Sequence, residues 1–351
     1  MNECESRLAA WCAASKFDGV WLRRRSNIAW LSGGADTHCD LHTVQGVASV
    51  VWTPARKIVL TDTIEAARLR AEEFGSEWDV RATEWWEDGA AALPPDVKDL
   101  RLTTDIPADP LYELRASLTD TEIKAARTLG HEAASGLERT MRDVRPGATE
   151  HEIAGRIAGT LRAAGIFCPV VLVAADERIA RFRHPIPTER RVERTLMAAI
   201  CAQRRGLIVS ATRIVSLGPI GSDLRRRHDA VTRIDAALHR ATRPGVAWSA
   251  ALEAGLAAYD KEGFPGEWKL HHQGGPMGYE CRDFKATRAD TRTVFPRQLV
   301  AWNPSISGTK SEDTVLSGRN AAEAPEVLTV TGQWPPCPAE PSRGDILQIG
   351  D

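Results

Sequence analysis

The stretch RTLMAAICAQRRGLIVSATR, residues 194–213, carries two apolar runs separated by Arg204-Arg205-Gly206. Short continuous apolar runs of this length read as buried strands, here over 196–202 and 207–215. No Asp or Glu occurs anywhere from Arg194 to Ser222. Working upstream, Thr119 with Glu122 and Thr149 with Glu152 are capping-box pairs. In each, a hydroxyl and a carboxyl three residues apart satisfy the first free backbone N–H groups of a helix. They predict helices over 119–142 and 149–164, broken by Arg145-Pro-Gly147, and Ile153, Ile157 and Leu161 line one face of the second. A strand is expected at 170–174, helices at 223–242 and 249–262, and further strands at 299–303 and 312–316. Residues 1–117 read as a separate α/β unit, with helices at 3–15 and 63–74 and strands at 19–22, 47–52 and 58–60. A stretch rich in Pro and acid, 85–109, closes it. Seven of the eleven Trp residues precede position 87 and are expected to serve packing.

The chain has 351 residues, which at roughly 150 per domain suits the two domains 1–117 and 118–351. A net charge of −2 argues against nucleic acid as a partner. No apolar run reaches the length of about 18 residues that a membrane span needs. The start MNECESRLAAW lacks the basic-then-apolar order of a secretory signal. Seven scattered Cys, an odd count with no Cys-x-x-Cys, point to a reducing cytoplasm and to no structural zinc site. The 37 Arg against 8 Lys fit a GC-rich coding sequence, and the Arg225-Arg-Arg-His228 run reads as a solvated helix face.

Several segments, taken in order, resemble the creatinase, aminopeptidase P, prolidase and methionine aminopeptidase family. They are Asn27-Ile-Ala-Trp-Leu-Ser-Gly33, Thr119-Asp-Thr-Glu-Ile123, Arg145-Pro-Gly-Ala-Thr-Glu150, Phe182-Arg-His-Pro-Ile-Pro-Thr188, Gly206-Leu-Ile-Val-Ser-Ala-Thr-Arg213 and Gly308-Thr-Lys-Ser-Glu-Asp-Thr314. Each is weak alone, but together they span nearly the whole chain. The resemblance implies an α+β, creatinase-like architecture: an α/β N-terminal domain followed by a pita-bread domain. It also implies a homodimer.

Family chemistry normally uses two divalent metals held by two Asp, one His and two Glu, a hard donor set that activates a bridging hydroxide. Here the resemblance places the two Asp positions on Ala199 and Ser210. It places the His turn on Gly274-Gly275-Pro276 and the first Glu on Asn303. Only Glu312 matches a ligand. Methyl, hydroxyl, glycine and amide groups cannot hold two cations against water. The expectation is no metal cofactor, with at most a weak mononuclear site using His271 or His272 and Glu312.

Creatinase, within the same family, cleaves a C–N bond without metal by a histidine proton shuttle. His184 matches that histidine, and an imidazole near neutral pKa can take a proton from water and return it to a leaving nitrogen. The expected catalytic set is His184, Glu312 and His272. The expected substrate-binding set is His271, Gln273, Tyr279, Arg282, Asn303, Ser210 and Arg213. On an extended strand His271 and His272 point to opposite faces, and His272 is favoured for the pocket. Glu312 has an alternative reading as the partner of Arg213, and Asp313 reads as structural. Arg282 either clamps a carboxylate or pairs with Asp283. Cys201 and Cys281 offer a Cys–His pair on proximity alone.

The leading function is a cytoplasmic, metal-independent enzyme that hydrolyses or eliminates at a C–N bond of a small-molecule or short-peptide-like substrate. The alternatives are a metal-dependent Xaa-Pro aminopeptidase or dipeptidase, and a non-catalytic binding protein.

Overall fold

A computed structural model describes residues 1–40, 43–338 and 343–350. The chain divides into two compact units, Met1–Arg115 and Ala116–Asp351.

The first unit is built on a five-stranded mixed sheet. Gly19–Arg24 lies between the antiparallel Gln45–Thr53 and the parallel Leu102–Thr104. Arg56–Asp62 and Asp79–Thr83 follow beyond Gln45–Thr53. Helix Glu3–Ser15 starts at an Asn2–Glu5 capping box. The helix expected over 63–74 forms only from Ala66, and after Arg68 it widens into a π-helical turn, Leu69–Glu73. Trp30 and Trp52 are buried, whereas Trp85 and Trp86 are exposed.

The second unit centres on an eight-stranded sheet. Its main path runs Phe167–Ala175, Thr195–Arg204, Leu207–Leu217, Asp313–Leu316, Leu299–Trp302 and Gly274–Met277, with every neighbour antiparallel. Ile346–Ile349 adds in parallel to Leu207–Leu217. Both expected capping boxes are present. The Glu122 N–H donates to Thr119 Oγ1 at 3.3 Å, and the Thr119 N–H to Glu122 Oε2 at 2.7 Å. The equivalent Thr149–Glu152 bonds are 3.1 and 2.7 Å. They start helices Asp120–Arg142 and Glu150–Ala163, whose apolar faces (Leu129, Ala133 and Leu137; Ile153, Ile157 and Leu161) are buried. Helices Ser222–Ala241 and Trp248–Lys261 enclose a second core, in which Trp248 packs on Trp302 with ring centroids 5.7 Å apart. Among the described residues no helix is long and apolar enough to cross a membrane.

Candidate active site

Three segments bring the site together. The loop after the short helix Glu177–Arg181 carries His184, and the Pro185 carbonyl accepts from the Val173 N–H at 3.2 Å, pinning that loop to the sheet. The extended residues His271–Gln273 lead into strand Gly274–Met277. Strand Asp313–Leu316, with the residues before it, supplies Lys310 and Glu312. They meet over the Thr195–Arg204 strand around a cavity of about 290 Å³. Its lining includes His184, His272, Arg282, Lys285, Asn303, Lys310 and Glu312, with the apolar side chains of Val170, Leu172 and Ala199, which the strand pairing puts on one face of the sheet.

His184 Nε2 faces His271 Nε2 at 3.2 Å. The three imidazoles of His184, His271 and His272 present nitrogens within 4.8 Å of one another, the only such triple of His, Cys, Asp or Glu among the described residues. The opposite-face expectation for His271 and His272 therefore fails to separate them, because their ring centroids lie 4.6 Å apart. His272 lines the cavity. His271 is buried beside it and also approaches Ser305 Oγ at 3.5 Å. Loss of solvent lowers the proton affinity of all three, most for His271 and His272, and nearby cations reinforce it. His271 is pushed down to about 2 by burial and then Lys310. His272 is pushed down to about 3 by burial and then Arg282. His184 is lowered by burial and Lys310, with Glu312 opposing.

One oxygen of Glu312 is committed within the protein. Its Oε2 accepts from Thr212 Oγ1 at 2.7 Å and from Lys310 Nζ at 2.8 Å. The guanidinium of Arg282 borders the cavity and donates through Nη1 to the Gly275 and Ala301 carbonyls at 2.7 and 2.5 Å. Gly275 has φ +150°, and a Cβ there would fall 2.5 Å from the Phe284 carbonyl oxygen. That backbone position cannot take a histidine.

The other expected site residues are placed differently. Arg213 is no partner of Glu312. It is a fully enclosed ion pair with Glu138 at 2.9 Å and Asp313 at 3.0 Å, and it also donates to the Thr329 carbonyl at 2.7 Å. Asp313 thus has a structural role. Tyr279 donates to Glu122 Oε1 at 2.6 Å and Gln273 to the His271 and Trp268 carbonyls at 2.7 and 3.1 Å, so neither lines the cavity. Ser210 lies beneath Cys201 at 3.3 Å and is buried. Asn303 reaches the cavity with a buried Oδ1 that has no partner. Arg282 forms no close ion pair with Asp283, whose position only adds an attractive field. The nearness of the Cys201 and Cys281 thiols lowers the Cys201 thiol and raises that of Cys281. Lys310 and Lys285 went unremarked in the sequence. Lys310 stands two residues before Glu312 in extended chain, which puts both on one side, and that spacing was a readable signal.

These residues do not fit a two-metal centre. Ala199, Ser210, Gly275 and Asn303 offer no anionic donor, and the one carboxylate is occupied by an ammonium. The histidine triple offers three neutral donors for a single ion, but Lys310, Arg282 and Lys285 place positive charge around it.

The profile of metallopeptidase family M24 matches residues 124–320. No curated protein sequence matches the chain. Among solved structures, the Xaa-Pro dipeptidase from Bacillus anthracis superposes with a TM-score of 0.77 at 16% identity, covering 99% of this chain and 100% of that one. Dipeptidase PepE from Mycobacterium ulcerans gives 0.74 at 19% identity, covering 99% and 98%. The N-terminal domain of the FACT complex subunit SPT16 from chickpea gives 0.67 at 13%, covering 94% and 95%. At these identities the likeness establishes the two-domain pita-bread fold.

Proposed function

Because this chain belongs to metallopeptidase family M24, we propose that it is a divergent member that has lost the two-metal centre and works without metal. It acts on a C–N bond of a small polar substrate, by hydrolysis or elimination. His184 is the general acid–base: it takes a proton from the attacking water or the substrate carbon and returns it to the departing nitrogen. His272 and Asn303 contact the substrate, His271 orients the His184 ring, and Glu312 fixes Lys310 in place. The observation that carries this reading is the Lys310–Glu312 pair, which puts a protein cation on the carboxylate that would otherwise serve a metal. Seven cysteines without a disulfide support a cytoplasmic setting, and the family resemblance supports a homodimer.

The test is a screen of dipeptides, small amides and amino acids for release of the nitrogen-bearing product, run with and without a strong chelator. Turnover that resists the chelator and falls at least about a hundredfold in His184→Ala, the scale of general acid–base catalysis, supports the reading. Activity that needs added manganese or cobalt, or that survives intact in His184→Ala, overturns it.

A further inference from the structure

The cavity beside His184 has an unbalanced charge. Three cations line it, Arg282, Lys285 and Lys310, and its one carboxylate, Glu312, is already bonded to Lys310. Arg282 and Lys285 form no ion pair with a carboxylate within 4.0 Å among the described residues. Arg282 has only carbonyl partners, so its charge is solvated but not neutralised. Its burial outweighs the attraction of Glu312 and lowers its proton affinity, the behaviour of a guanidinium short of a counter-ion. Asn303 adds a buried Oδ1 without a partner, an acceptor that suits an N–H or O–H elsewhere on the ligand and not its oxyanion. The lining also includes the hydrocarbon side chains of Val170, Leu172 and Ala199, and the volume of about 290 Å³ suits a molecule of few heavy atoms.

We propose that this cavity binds a small molecule with an oxyanion head, held among Arg282, Lys285 and Lys310, and an apolar arm against Val170, Leu172 and Ala199. It rejects a free ammonium or guanidinium head at the same place. This names the substrate class of the site proposed above and rests on that reading. A cationic head would meet Arg282 and Lys285, and the one carboxylate in the lining, Glu312, already carries Lys310 on Oε2. An oxyanion meets a planar donor fork and an ammonium, the geometry such groups prefer.

The experiment is calorimetric titration and thermal shift of the full chain with three probes. They are isovalerate, isobutylamine with the same apolar arm, and inorganic phosphate. Isovalerate should bind and raise the melting temperature, and isobutylamine should do neither. Arg282→Gln should weaken isovalerate at least about tenfold, the scale of a hydrogen-bonded charge. Lys285→Ala, an exposed position whose loss leaves the fold intact, should weaken it roughly threefold. Phosphate binding that falls with the same two variants supports an oxyanion site whose natural head is a phosphate. Isobutylamine binding as tightly as isovalerate, neither anion binding at millimolar concentration, or anion binding indifferent to both variants overturns the proposal. The readout does not depend on turnover. A wild-type protein that binds isovalerate yet turns over nothing in the substrate screen sinks the proposed reaction and leaves the anion site standing.

Discussion

Lys310 Nζ lies 2.8 Å from Glu312 Oε2, and both side chains are only 6% exposed. Two charges this enclosed lose much of their hydration, and each depends on the other for compensation, Glu312 also on the Thr212 hydroxyl. Lys310→Met removes one partner and leaves an uncompensated buried carboxylate. The expected loss is about 3–5 kcal/mol of unfolding free energy. The double variant Lys310→Met/Glu312→Gln removes both charges and should recover most of it. Urea unfolding of the two variants checks this. A double variant no more stable than the single one would mean the pair is not coupled.

The same pair governs metal content. Elemental mass spectrometry of untagged protein, prepared without chelators, should find manganese, iron, cobalt and zinc well below one per chain. A ligand that binds only the folded state raises its stability, so chelator treatment should leave the melting temperature unchanged. Two equivalents of metal would contradict the reading of Glu312. One equivalent, lost in His272→Ala, would turn the three histidines into a mononuclear site and end the metal-independent proposal.

Arg213 presents a different buried ion network. It bonds Glu138, Asp313 and two backbone carbonyls at once, a fork that only a guanidinium supplies. Arg213→Met strands two carboxylates and should cost about 3–5 kcal/mol. Arg213→Lys keeps the charge but not the fork, so its loss should fall between wild type and Met. Denaturant melts of both variants test the order. A Met variant as stable as wild type would return Arg213 to the list of groups free to serve a ligand.

Where the signal is local, the sequence carries it well. The capping boxes at Thr119 and Thr149 predict helix starts within one residue, because the side chains that satisfy the first N–H groups are neighbours in the chain. The paired strands around Gly206 are equally legible from their apolar runs. Strand Gly274–Met277 is not. Its glycines read as a turn, and it is extended only because Leu299–Trp302 pairs with it. The absence of acids from 194 to 222 is visible in the letters, and so is the retention of Glu312. What replaces the missing charge is not visible, because Arg282 reaches its place through carbonyls of Gly275 and Ala301. Arg213 was misassigned for the same reason. Its partner Glu138 comes from a helix 75 residues away in sequence, which no local pattern announces.

The buried histidines set the acid side of stability. His228 is held down at about 4 by burial, with Asp345 opposing, and His271 at about 2 by burial and Lys310. Unfolded, each titrates near 6.5. Between 6.5 and the folded value the unfolded chain binds a proton that the native protein does not, so unfolding is favoured as pH falls. The stability they contribute is full above pH 6.5 and declines steadily below it. Each contributes a slope of at most about 1.4 kcal/mol per pH unit. In the window from 6.5 to about 4.5 the decline belongs to these two and to the other lowered histidines, His184, His239 and His272, because unfolded carboxylates begin to protonate only near its lower end. Urea midpoints at pH 7.5, 6.5, 5.5 and 4.5 should be level between the first two and fall through the rest. His228→Gln, which keeps a polar group toward Thr309 without the titration, should flatten the decline. A midpoint that holds constant down to pH 4.5 would show that these imidazoles protonate within the folded protein and that the site histidines are less enclosed than their packing implies.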